Sequence, residues 1–177
     1  MNEEKIEQAI YNLLEAIGEN PNREGLIETP KRVAKMYKEL LSYNKFNYTT
    51  FQDNYDDIVM VRDIEFTSLC EHHLLPFYGI AHIAYIPNGK IIGLSKLARV
   101  VEKYSRKLQV QERMTNDIYK ELNKELNTDD IAIYIEAKHM CMISRGVKKE
   151  LSNTVTIKLN GLFKNERKED FYKLINK

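Results

Sequence analysis

No apolar run in the chain is long enough to span a bilayer, and the polar amino terminus lacks the pattern of a secretory signal. The sequence is therefore read as cytoplasmic, with no membrane partner. Charge of one sign is also missing, since 27 basic residues face 26 acidic ones for a formal net charge of +1. That balance argues against a general nucleic-acid or anionic-membrane surface and leaves room only for a local anion site. Cysteine is scarce: Cys70 and Cys141 are the only two, far apart in sequence. Such usage points to a reducing compartment and not to a disulfide scaffold, although the pair could oxidise after metal loss. No internal repeat or low-complexity tract is evident. With 177 residues, 43% of them hydrophobic, the chain suits one core-bearing domain with peripheral elements and does not suit intrinsic disorder.

What is present concentrates in two short segments. Cys70-Glu71-His72-His73 and His139-Met140-Cys141 hold both cysteines and three of the four histidines. Cys70 and His73 can grip one ion across a turn, and Cys141 joins only if folding returns it to them. Two thiolates and an imidazole suit Zn2+, and three protein ligands leave a fourth tetrahedral position for water, the mark of a catalytic site. In an extended segment His72 points away from His73 and is free for acid-base work. If the strand stays extended through His139 and Cys141, their side chains emerge on one face. Two thiolates offset the ion's charge, so a nearby base near neutral pKa would help, and His72 and His139 are the candidates. A structural clip completed by His72, His82 or a carboxylate is the alternative. His82 itself reads as a hydrogen-bonded core or interface residue and is left out of the site.

The periodicity predicts an α+β order. Ile6, Ala9, Ile10, Leu13, Leu14 and Ile17 form a helical stripe ended by Gly18, and Thr29-Pro30 is expected to cap a second helix. A polar linker follows from Ser42 to Asp56. Residues 1–50 thus read as an N-terminal helical segment and 51–177 as the main domain. Strands are expected at Ile58–Phe66 and Phe77–Ile86, with Pro87-Asn88-Gly89 as a turn before Ile91-Ile92. Two helices come next, one capped by Ser95 and one from Gln111 to Leu126. Alternation predicts a third strand from Ile131 and a fourth over Leu151–Leu159, before a terminal helix from Glu166.

A second constellation lies in Gly93-Leu94-Ser95-Lys96 with Arg99 one turn on. Backbone N–H groups at a helix start, a hydroxyl and two cations suit phosphate, and Arg145 could reach the same place. In Gln109-Val110-Gln111-Glu112-Arg113, an ionised glutamate can accept from the N1–H and exocyclic amine of guanine together. Taken alone, each of these also reads as ordinary solvated charge.

Together, Cys-Glu-His-His, Gly-Leu-Ser-Lys, Gln-Val-Gln-Glu-Arg, His-Met-Cys-Met followed by Arg145-Gly146, and Thr29-Pro30-Lys31-Arg32-Val33 resemble GTP cyclohydrolase I over residues 5 to 175. The resemblance implies a hydrolase that opens the purine of GTP at C8, releases formate and forms 7,8-dihydroneopterin triphosphate at the entry to pterin and folate synthesis. It implies Cys70, His73 and Cys141 as zinc ligands and His72 and His139 as proton-transfer groups. Gln111 and Glu112 would recognise guanine, with Ser95, Lys96, Arg99 and Arg145 around the ribose and triphosphate. The strand-helix order also resembles the tunnelling fold, an antiparallel four-stranded sheet with two helices that neighbouring subunits continue into a barrel. A homodecamer of two pentamers with sites between subunits is then expected. The last strand departs from the family pattern at Ile157-Lys158, which bears on interface packing. Other pterin or deazapurine chemistry on the same fold, and a non-catalytic zinc-stabilised assembly module, are the competing readings.

Overall fold

Capping and charge set the first element. In the computed structural model, which describes residues 1–176, α1 (Glu3–Ala16) starts at Asn2, whose side-chain oxygen accepts the Lys5 backbone N–H at 3.0 Å. Glu3 and Glu4 occupy its first turn, where the helix dipole favours acids. Gly18, at φ 88°, takes the left-handed position just past its end. In α2 (Thr29–Leu40) the cap is Glu28 and not Thr29, and no side-chain cap bond forms. Pro30 tolerates that shift because first-turn N–H groups have no helical partner to lose. Lys38 near the end of α2 pairs with Glu3 at 2.5 Å, so the two helices form an antiparallel hairpin. The chain divides into two units, Met1–Tyr43 and Asn44–Lys177.

The second unit runs β1 (Thr50–Gln52), β2 (Val59–Cys70), β3 (Pro76–Tyr85), β4 (Lys90–Ile92), α3 (Leu94–Ser105), β5 (Leu108–Gln109), α4 (Gln111–Leu126), β6 (Ile131–His139), α5 (Met140–Ile143), β7 (Thr154–Leu159), a 3₁₀ turn (Gly161–Lys164) and α6 (Lys168–Ile175). It is a mixed α+β domain. Its main sheet has the order β5-β2-β3-β6-β7, in which four long strands pair antiparallel and the two-residue β5 lies parallel to the end of β2. Where a four-stranded sheet is expected, the structure has five strands, the fifth too short for two residues to announce, and a separate two-stranded sheet. The stretch expected as a linker instead supplies β1, which pairs with β4, while Tyr48 bonds Glu121 on α4. Glu121 also takes Lys103 and Tyr104 at 2.6 Å each, which satisfies a half-buried carboxylate and ties that stretch to both helices. Ser95 does not cap α3: the cap is Gly93, whose N–H is drawn to Thr49 O at 2.9 Å beside β1.

One face of the sheet is covered by α3 and α4. Leu97, Val100 and Val101 join Met114, Ile118, Leu122 and Leu126 over Phe66, Phe77, Ala81, Ile83, Ile133 and Ile135. The stripe on α4 recurs every four residues, so one face of the helix is spent on the sheet; truncating a fully buried leucine such as Leu122 costs about 2–5 kcal/mol. Strands β3 and β6 approach closely at Gly79, where an added Cβ would sit 1.9 Å from the Glu136 carbonyl oxygen. No helix among the described residues is long and apolar enough to cross a membrane.

The opposite face carries Ala84, Ile86 and Ala132 under Phe163 and Phe171. His82 is buried on that side, 3% exposed, and its Nδ1 accepts the Asp63 N–H at 3.2 Å. Asp63 sits at φ 56° in an irregularity between Val61 and Ile64, so the imidazole satisfies a donor that the bulge removes from the ladder. Burial pushes the His82 pKa below its ordinary 6.5, with Asp63 acting the other way. Below that value the unfolded chain binds the proton more readily than the folded one, so stability should fall as pH drops from 6.5. Urea denaturation at about pH 7.5 and about pH 5.5 checks this. Acidification should cost the wild type more than His82→Gln, whose oxygen still accepts the Asp63 N–H; equal losses in both would contradict it.

Candidate active site

The β2–β3 connection is built as a tight turn. Cys70 N donates to Leu75 O at 2.9 Å, Cys70 O accepts Leu74 N at 2.9 Å, and Leu74 takes the left-handed φ of 55° that reverses the chain. This holds Cys70 buried at the end of β2 and leaves His72 and His73 exposed. Parallel pairing of Leu69-Cys70 with Leu108-Gln109, and a Glu71 N to Gln109 O bond of 3.1 Å, bring the start of α4 against the same turn.

The second metal segment arrives by strand register. Phe77, just after the turn, pairs with His139 at the end of β6. The strand stops there: Met140–Ile143 close a single helical turn, with Ser144 N on Met140 O at 2.9 Å. The condition that the strand stay extended through Cys141 is therefore not met, and His139 and Cys141 do not share a strand face. Helical winding turns Cys141 toward the first segment. One donor atom from each of Cys70, His73 and Cys141 lies within 4.8 Å of the others. The Cys70 Sγ to His73 Nδ1 distance of 3.9 Å compares with about 3.6 Å between sulfur and nitrogen on a tetrahedral zinc. The donor set fits such an ion with a small contraction. His72 Nδ1 is also 3.9 Å from Cys70 Sγ, but His72 does not join that trio.

Electrostatics fit the same picture. Burial, then the neighbouring Cys70 sulfur, push the Cys141 thiol above its ordinary pKa, so metal uptake must displace a proton. Arg145 Nη1 lies 2.6 Å from His73 Nε2. A guanidinium only donates, whereas an imidazole holding a metal through Nδ1 keeps its proton on Nε2, so that contact and the ion exclude each other.

His139 keeps the period-two face of Ile131, Ile133 and Ile135, the face covered by α4, and so meets Gln111: His139 Nε2 is 2.8 Å from Gln111 Oε1. Its ring stacks on Phe77 at 4.7 Å and 3°. Burial lowers its pKa while Glu112, exposed in the first turn of α4, acts in the opposite sense. Ser95, Lys96 and Arg99 lie on the first turns of α3, where Ser95 and Arg99 are exposed and Lys96 Nζ sits 5.9 Å from the Phe46 ring centre. Among the described residues, no hydrogen bond joins Ser95 or Arg99 to the metal cluster.

Sequence reasoning missed a clamp. Arg113 grips both oxygens of Glu71, at 2.5 and 3.1 Å, and holds that carboxyl below the usual carboxylate range. It ties the metal turn to α4. Nothing in the spacing of 42 residues signals the pair; Glu71 merely stands inside the motif.

Thiols and an imidazole converging from distant segments, with His72 beside Cys70, form a cluster that could hold a metal ion in an α+β domain. Which family this is follows from comparison with known proteins, because the sequence profile of GTP cyclohydrolase I matches residues 6–176. The chain belongs to the GTP cyclohydrolase I family. It is 57% identical to GTP cyclohydrolase 1 of Sulfurihydrogenibium sp. (strain YO3AOP1), over 97% of this chain and 94% of that one. Identity is 52% to the protein of that name from Streptococcus thermophilus (strain CNRZ 1066), over 95% and 93% of the two chains. It is 50% to that of Clostridium kluyveri (strain ATCC 8527), over 99% and 98%. A crystal structure of an archaeosine synthase QueF-Like in the apo form gives a TM-score of 0.45 at 14% identity, covering 56% of this chain and 91% of that chain.

The clamp makes a measurable difference. Because Arg113 is half exposed, solvent screens its pair with Glu71, and Arg113→Gln should weaken zinc binding only about two- to fivefold. Competition against a chromophoric chelator reads this directly. Unchanged affinity would show that the clamp does not hold the metal turn.

Proposed function

We propose that the chain hydrolyses GTP at C8 of the purine, releases that carbon as formate and yields 7,8-dihydroneopterin triphosphate, the first step toward pterins and folate. The observation that carries this reading is the convergence of Cys70, His73 and Cys141 within 4.8 Å, in a chain of this family. These three residues would hold Zn2+. When bound, the ion supplies the Lewis acidity that makes a water nucleophilic near neutral pH.

The protein's own groups do the rest. His72 and His139 take and return protons as water adds across C8, the five-membered ring opens and a second hydrolysis frees formate. The ribose carbons then rearrange and close onto the freed amine. Glu112, exposed at the head of α4, accepts from the N1–H and amine edge of guanine; adenine lacks that edge. Gln111 belongs to the same recognition segment. Ser95, Lys96 and Arg99 receive the ribose and triphosphate at the start of α3, and Arg145 is free to join them once a metal has taken His73.

Residues 51–177 form the catalytic domain in this reading and 1–50 a helical segment attached to it. The fold is a tunnelling fold whose sheet edges are closed by neighbouring subunits, in a homodecamer of two pentamers with sites between chains. Two free thiols as ligands suit the reducing cytoplasm.

Incubated with GTP, the purified protein should release formate and a product that becomes a fluorescent pterin on oxidation. Chelation should stop the reaction and zinc restore it. His72→Ala and His139→Ala should each keep zinc and lose about 10²-fold or more in turnover. Loss of zinc in both variants would make these imidazoles structural, and a zinc-loaded protein that leaves GTP intact would overturn the reading.

A further inference from the structure

Gln111 heads α4, yet its side chain is 1% exposed and its amide hydrogens are all committed. Nε2 lies 3.1 Å from the Ile135 carbonyl, 3.0 Å from the Thr154 carbonyl and 3.1 Å from Thr156 Oγ1. Carbonyls only accept, so nitrogen and not oxygen faces them. A second set of bonds demands the same orientation. Thr115 Oγ1 donates to the Gln111 main-chain carbonyl at 2.9 Å, so across the 2.7 Å between the two hydroxyls it is Thr156 that donates to Thr115. Thr156 Oγ1 is then left to accept, so the two Gln111 amide hydrogens are shared among three acceptors and the ring of donors closes.

With Nε2 so placed, Oε1 is the atom turned to His139 Nε2 at 2.8 Å. An amide oxygen cannot donate, so His139 Nε2 must carry the hydrogen between them. Phe77, stacked on the imidazole at 3°, removes the ring's remaining freedom to tilt. We propose that Gln111 is a positioning residue that holds His139 as its Nε2–H tautomer, leaving Nδ1 as the one ring nitrogen through which proton transfers pass. The guanine contact that family resemblance implies for the Gln111 side chain has no free amide hydrogen to make it. Base recognition is left to Glu112, whose side chain faces solvent one residue on.

The assignment of Nδ1 to catalysis rests on the proposed reading of His139 as an acid-base group; the tautomer does not. Solid-state 15N spectra of zinc-loaded protein labelled at its four histidines separate the two, with the His139 signals identified by their loss in His139→Asn. A protonated Nε2 with an unprotonated Nδ1 is expected. A hydrogen on Nδ1, alone or together with one on Nε2, overturns the proposal, and this readout needs no variant of Gln111. Gln111→Met should lower kcat about 10²-fold with zinc content and KM for GTP little changed. A raised KM at unchanged kcat would return Gln111 to base recognition and overturn the positioning role. An Nε2–H ring in a zinc-loaded protein inert toward GTP would instead remove the reaction and keep the tautomer.

Discussion

The pairing of Phe77 with His139 across β3 and β6 is the constraint on which the site depends. One partner lies seven residues after Cys70 and the other two before Cys141, so this single step of register decides whether two distant cysteines meet. Register in a sheet with one covered face is strongly specified, because a slip of one residue would turn Ile131, Ile133 and Ile135 away from α3 and α4. The metal cluster is thereby coupled to the core: hydrophobic burial, acting through alternation, sets the distance between thiols.

Around that fixed point the structure divides its labour between rigid and exposed groups. Cys70 is held at a strand end by backbone bonds on both sides of a tight turn, and His139 is held by an aromatic face and a buried amide. His72, His73, Glu112, Arg99 and Arg145 face solvent. The two-residue β5 matters out of proportion to its length. By pairing with Leu69-Cys70 it delivers the head of α4 to the metal turn, so that Glu112 on one side and the Glu71–Arg113 clamp on the other belong to one assembly. Preorganisation of this kind is what a hydrolytic site needs, since the groups that exchange protons must not reorient during the reaction.

Period-two alternation in Ile131–Ala137 and the four-residue stripe on α4 made the strands and helices legible from sequence, because each buries one face against the other. The metal trio was legible too, since both cysteines and the histidine doublet are so few. Other features were not. The strand that carries His139 ends sooner than its pattern suggests, because Met140–Ile143 can wind once nothing pairs beyond Phe77. Capping at Thr29 and Ser95 failed because α2 starts one residue earlier, with Pro30 tolerated in its first turn, and because Gly93, bonded to Thr49, caps α3. The ring of Gln111, Thr115 and Thr156 joins residues 41 and 45 positions apart, and no local spacing records it. Long-range polar partners of that sort are written in the tertiary fold alone.

The proposed reaction requires a divalent ion held by Cys70, His73 and Cys141 with one position left to solvent. X-ray absorption at the zinc edge of the purified holoprotein tests it most directly. Two sulfurs at about 2.3 Å, one imidazole nitrogen at about 2.0–2.1 Å and a single exchangeable oxygen are predicted. A fourth protein donor closing the shell, or a sphere with fewer than two sulfurs, would contradict it.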